Sequence, residues 1–132
     1  MTAVVVDASA LAGALFGVGG DGEWARRELE AASLVAPAHV FVEVSNALRR
    51  NVLSGALSAD AAALAHVDLM DLPVTAFGFE PLAARVWSLH PTVTAYDAAY
   101  IALAEELDVP LVTLDRRLAR ATGPTCAFRT PS

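Results

Sequence analysis

The 132 residues suffice for one domain with a proper core, spanning residues 1–132, and a formal charge of −6 argues against holding nucleic acid by a broad basic face. Apolar side chains make up 55%, yet no run reaches the ~18 uninterrupted residues of a membrane span. All nine basic residues are Arg and lysine is absent, which counts against P-loop, protein-kinase and phospho-aspartyl chemistries.

The single Cys126 cannot form an internal disulfide, and the apolar stretch Leu11 to Val18 lacks a basic leader, so a cytoplasmic protein is expected. In chain order, Val4-Val5-Val6 reads as a strand buried on both faces and stops on Asp7. Ser9 to Phe16 predicts a short helix, Gly17 to Gly22 a turn, and Glu23 to Ala31 a helix with a charged outer face. Leu34 to Ala36 is a second strand, after which Pro37 is expected to open a helix to about Leu53. Ser54-Gly55 closes that helix, and Ser58 caps the next, Ala59 to about Asp71. Pro73 to Ala76 is a third strand, and Glu80 to Leu89 a helix ended by His90-Pro91. Thr94 caps a helix from Ala95 to Leu107, and Leu111 to Leu114 is a strand running into Asp115. A short helix from Arg116 to Ala121 and an edge strand at Cys126 to Phe128 complete the chain. Strands alternating with helices predict an α/β fold with a mainly parallel central sheet.

Most of the fifteen acids have a plain explanation. Glu23, Glu28, Glu30, Glu105 and Glu106 fall on solvated helix faces, and Asp21 and Asp60 suit turns or first helical turns. Four do not fit that pattern. Asp7 and Asp115 each end an apolar strand, which places both at one rim of the sheet. Glu43 shares a helix face with Val40 and Ala47, and Asp97 lies beside Ile101 and Ala104, opposite Glu106, so both face inward. Each acid could act locally: Asp7 and Asp115 as helix caps, Asp97 in a capping box with Thr94, Glu43 as a partner of His39. Inward carboxylates nevertheless repel one another unless cations hold them, and clustered oxygen ligands suit Mg²⁺ or Mn²⁺. Ser9, Asn46 and Thr113 stand two or three residues from these acids and could orient carboxylates or bound waters, or simply cap helices and fill strand positions. A zinc site would need His39, His66, His90 and Cys126, which are scattered.

The blocks VVVDASAL, PAHVFVEVSNALRR and TAYDAAYIALAEELDVPLVTLDRRL resemble, in that order, those of PIN-domain ribonucleases, most closely the VapC toxins of VapBC toxin–antitoxin pairs. The resemblance runs from Val4 to Leu118 and implies a three-layer α/β/α sandwich with an acidic pocket at the strand ends. Its four acids map onto Asp7, Glu43, Asp97 and Asp115, its hydroxyl positions onto Ser9 and Thr113, and its Asn onto Asn46. It implies a Mg²⁺- or Mn²⁺-dependent endoribonuclease, with Asp7 and Asp97 as principal metal ligands and Glu43 and Asp115 completing the site. A metal-activated water would attack the RNA phosphodiester. Arg116 and Arg117 could steer phosphate or merely begin a solvated helix. The implied partners are RNA and a VapB-like antitoxin, and the apolar excess suggests a homodimer. Two further readings are open: a PIN nuclease for RNA maturation, and a non-catalytic domain whose acidic pocket accepts Arg side chains.

Overall fold

The computed structural model describes residues 1–132. Five parallel strands, β1 (Ala3–Val6), β2 (Ser33–Pro37), β3 (Val74–Phe77), β4 (Leu111–Val112) and β5 (Phe128–Arg129), lie in the order β3-β2-β1-β4-β5. Between them run α1 (Ala8–Phe16), α2 (Gly19–Glu30), α3 (Val40–Leu53), α4 (Ala59–Asp71), α5 (Ala83–Ser88) and α6 (Ala95–Leu107). The chain builds outward from β1 through β2 to β3, then crosses back to lay β4 on the other side of β1. Right-handed crossovers in opposite directions put helices on opposite faces. Accordingly α1 to α4 pack on one another, while α6 packs with α5 and across β1, β2 and β4. The expected three-layer sandwich is observed, and its sheet is entirely parallel.

Val4, Val5 and Val6 are all buried, as expected of a central strand covered on both faces, and α6 buries an unbroken run from Ala98 to Ala104 against them. Since β1 has β2 on one side and β4 on the other, the strand order reverses at its carboxyl end. Open α/β sheets form their ligand crevices at such a point.

Several local expectations are corrected. Gly17 to Gly22 is not a turn throughout: the break is confined to Gly17 and Val18, and α2 begins at Gly19. Gly22 serves close packing, because a Cβ there would stand 2.8 Å from the backbone of Gly17. Pro37 ends β2 instead of opening α3, which starts at Val40 with His39 before it. Pairing of β1 with β2 stops at Val5–Val35, so the missing N–H of Pro37 costs no β1 ladder bond. The fourth strand is only Leu111–Val112, because Thr113 turns toward Asp7. The helix expected over Arg116 to Ala121 is a single 3₁₀ turn at Leu118–Arg120, and the last strand is Phe128–Arg129, not Cys126 to Phe128. The expected helix from Glu80 is split into a 3₁₀ turn at Glu80–Leu82 and then α5. Glu28 and Glu105 do not lie on free solvated faces: Glu28 pairs with Arg129 and Glu105 with Arg85, tying the carboxyl-terminal segment and α5 to the body. None of the helices is long and apolar enough to cross a membrane.

Candidate active site

At the reversal point lies a pocket of about 690 Å³, and all four singled-out acids line it. Asp7 follows β1, Asp115 follows β4, Glu43 comes from the first turn of α3, and Asp97 from the first turn of α6. Two strand ends thus meet two helix starts, one from each face of the sheet.

Asp7 is only 4% exposed, and both its oxygens are engaged. Oδ1 accepts from the Ser9 hydroxyl at 2.7 Å and the Ala10 N–H at 2.9 Å, and Oδ2 accepts from the Thr113 hydroxyl. The Ser9 Oγ in turn accepts from Leu114 N–H at 2.9 Å, and Thr113 Oγ1 from Asp115 N–H at 3.0 Å. Two expected supporting hydroxyls therefore weld the ends of β1 and β4 together. Burial pushes the Asp7 carboxyl from its ordinary 3.8 up to about 6, against the hydrogen bonds that pull it down.

Glu43 is held differently. Its Oε1 accepts from the Tyr100 hydroxyl at 2.7 Å and lies 2.9 Å from His39 Nε2. The same Nε2 is 3.1 Å from the Tyr96 carbonyl, so it faces two acceptors and carries a proton. Burial pushes the Glu43 carboxyl up, but His39 and Tyr100 outweigh it and hold it below its ordinary range. Asp97 moves the other way: burial first, then the charges of Glu43 and Asp115, push it up. Asp115 is exposed, and its Oδ1 accepts from the N–H groups of Arg117 and Leu118 at 3.0 and 3.1 Å.

The local roles are real alongside the shared pocket. Asp7 caps α1, Asp115 caps the turn after it, Thr94 caps α6 through Asp97 N–H, and Glu43 pairs with His39. Asn46 lines the pocket one turn beyond Glu43. Arg50, one turn further on α3, is the single guanidinium on the wall. Arg116 does not line the pocket: it forks onto Asp21 at 3.1 Å and reaches the Ser132 carbonyl. Arg117 lines an adjoining hollow with Asp97 and Asp115. The histidines lie apart, His66 on Ser45 and His90 stacked on Trp87, so no zinc set exists.

No three of the acids converge into a finished coordination sphere. The donor set still suits a hard divalent cation, since four carboxylates face one Arg and Asp97 is raised by its neighbours' charge. Spacing from Glu43 leads to Asn46 and, at i+7, to Arg50, which sequence reasoning missed by stopping a turn short. Tyr100 was missed as well; its hydroxyl reaches Glu43 across 57 residues of sequence, which no local pattern announces.

A PIN-domain family model matches residues 4–124. Ribonuclease VapC1 of Mycobacterium tuberculosis is 42% identical over 130 residues, covering 98% of both chains. Among solved structures, the fold is similar to Mycobacterium tuberculosis VapC20, a sarcin–ricin loop cleaving toxin, with TM-score 0.69 and 17% identity over 88% of this chain and 92% of that one. It is likewise similar to VapBC2 from Rickettsia felis bound to a promoter DNA fragment, with TM-score 0.69 and 9% identity over 99% and 100% of the two chains. With the family model matching residues 4–124 and 42% identity to a VapC ribonuclease over nearly the whole chain, the chain belongs to the PIN-domain family, in its VapC ribonuclease branch.

Proposed function

We propose that this protein is a divalent-cation-dependent endoribonuclease, the toxin of a toxin–antitoxin pair, whose active site is Asp7, Glu43, Asp97 and Asp115. The observation that carries this reading is the gathering of four acids from four separate elements into one pocket at the strand-order reversal, in a chain that is 42% identical to a VapC ribonuclease. Asp7 and Asp97 would hold the cation, Mg²⁺ or Mn²⁺, with Glu43 and Asp115 completing its surroundings. When bound, such an ion makes water a better nucleophile and offsets charge on the phosphate and the leaving 3′ oxygen. The remaining chemistry belongs to the chain. Ser9, Thr113 and the Ala10 N–H fix Asp7 in one orientation. His39 and Tyr100 occupy Oε1 of Glu43 and keep the group ionised. Arg50, on the pocket wall, would supply a guanidinium to a neighbouring phosphate.

A pocket with four acids and one Arg also suits an inserted basic side chain, the contact by which a VapB-like antitoxin would silence it. The test is cleavage of total bacterial RNA by the purified protein in Mg²⁺ or Mn²⁺, beside Asp7→Asn and Asp97→Asn variants. Both variants are expected to fold and to lose cleavage. Undiminished cleavage by both refutes the assignment, and metal binding without turnover by the parent protein favours a non-catalytic Arg-accepting domain. Growth arrest on expression, rescued by a co-expressed antitoxin, tests the toxin reading directly.

A further inference from the structure

Beside the acid pocket lies a second hollow of about 510 Å³ that the four acids leave unused. It is formed where the chain leaves β2 and β3 and meets the first turns of α6, and its walls include Pro37, His39, Phe77, Phe79, Tyr96 and Ala99. None of its lining residues is an acid or an arginine. Two of its aromatic rings are largely in solvent, Phe79 at 55% and Tyr96 at 65% exposure. Large aromatic side chains bury well against a core, so a pair left open around one hollow is the kind of exposed patch that marks a binding surface.

The hollow adjoins the acid pocket. Tyr96 lines both, and His39 stands between them, its Nε2 2.9 Å from Glu43 while its ring walls the hollow. An RNA phosphate held among the acids carries a nucleoside on each side, so one flanking base falls within reach of this wall. A hollow walled by aromatic rings and without an arginine suits the flat face of a base better than a phosphate; every base has such a face, and aromatic platforms are how single strands are held without sequence readout.

We infer that the Phe79–Tyr96 hollow is a nucleobase subsite that takes one unpaired base flanking the scissile phosphate. This rests on the endoribonuclease reading above. The subsite makes the enzyme prefer unpaired RNA, because a base stacked in a duplex cannot enter.

The test uses the full chain with Mg²⁺ or Mn²⁺ and a fluorescein-labelled single-stranded dodecaribonucleotide of random sequence. An abasic dodecamer with the same sugar–phosphate backbone serves as competitor. Phe79→Ala and Tyr96→Ala, both at exposed positions, are expected to raise KM about 5- to 100-fold, the loss carried by one base–aromatic stack. Tyr96→Phe is expected to restore KM to within about twofold of the parent, since stacking needs the ring and not the hydroxyl. The base-bearing dodecamer should outcompete the abasic one on the parent protein, and that advantage should vanish in Phe79→Ala. Trp87→Ala, an exposed ring outside both cavities, is the unchanged control. If the parent cleaves RNA but Phe79→Ala and Tyr96→Ala keep its KM, the subsite is wrong and the nuclease reading stands. A changed sedimentation mass in Phe79→Ala would mark the hollow as an interface between copies and overturn the subsite too. A parent protein that cuts no RNA sinks the nuclease reading and the subsite together.

Discussion

Replacing the buried acid at the end of β1 should make the protein more stable while making it inert. Asp7 binds its proton more tightly in the folded protein than in the unfolded chain, its pKa pushed from 3.8 up to about 6 by burial. The sign follows from linkage: the favourable contribution is complete below pH 3.8 and is lost as pH rises through about 6. At ~1.36 kcal/mol per decade of acidity, that gap amounts to about 3 kcal/mol at neutral pH. Asp7→Asn removes the charge and keeps the shape. The amide oxygen can still accept from Ser9 and Ala10 N–H, and the Thr113 hydroxyl, which now donates to Asp7, can turn to accept from the amide nitrogen. Exchanging charge-assisted bonds for neutral ones takes back part of the gain, leaving about 1–2 kcal/mol, or roughly 3–10 °C in Tm for a chain of this size. The assay is urea unfolding followed by circular dichroism from pH 4 to pH 8 in EDTA. The variant should match the parent near pH 4 and pull ahead as pH rises through 6. Mg²⁺ should then narrow the gap by stabilising the parent alone. A variant that is equally or less stable than the parent at every pH would refute the idea that an uncompensated buried charge sits at the end of β1.

Thr113→Val, at a fully buried position, strands the Asp115 N–H and deprives Asp7 of a donor, so it should cost about 1–3 kcal/mol in urea unfolding, whereas Thr113→Ser should stay within about 1 kcal/mol. Tyr100→Phe leaves Glu43 with His39 alone, so Mn²⁺ affinity by calorimetry should fall about 10-fold while stability changes by about 1 kcal/mol. Gly22→Ala gains helix propensity but drives a methyl to 2.8 Å from the Gly17 backbone, and a net loss of about 1–3 kcal/mol is expected; increased stability would show that α1 and α2 can shift apart freely.

How much of this was legible in the sequence depended on how local the cause was. Asp7 and Asp115 announce themselves because an apolar run breaks onto a carboxylate, and Glu43 and Asp97 because helical periodicity turns them inward. The parallel sheet follows from strands alternating with helices. What escaped was settled by distant partners. Pro37 has the propensity of a helix start, yet its pairing with Phe77 on β3 keeps it in the strand. Gly22 looks like a turn residue until Gly17 is known to lie against it. Glu28 and Glu105 pattern as solvated, but their arginines arrive from 101 and 20 residues away. His39 and Tyr100, which govern Glu43, converge only once α3 and α6 are set on opposite faces of the sheet.

Because β1 sits in the middle of the sheet and draws its second neighbour from β4, the first acid of the chain is pinned by a hydroxyl 106 residues later. While the polypeptide is being made, β1, β2 and β3 can assemble with their helices, but one edge of β1 stays bare and Asp7 stays unanchored until Leu111 to Asp115 emerges. A nascent or prematurely stopped chain therefore lacks a finished acid pocket. The order of strands acts as a timer: the acid pocket cannot be completed until synthesis of the chain is almost over.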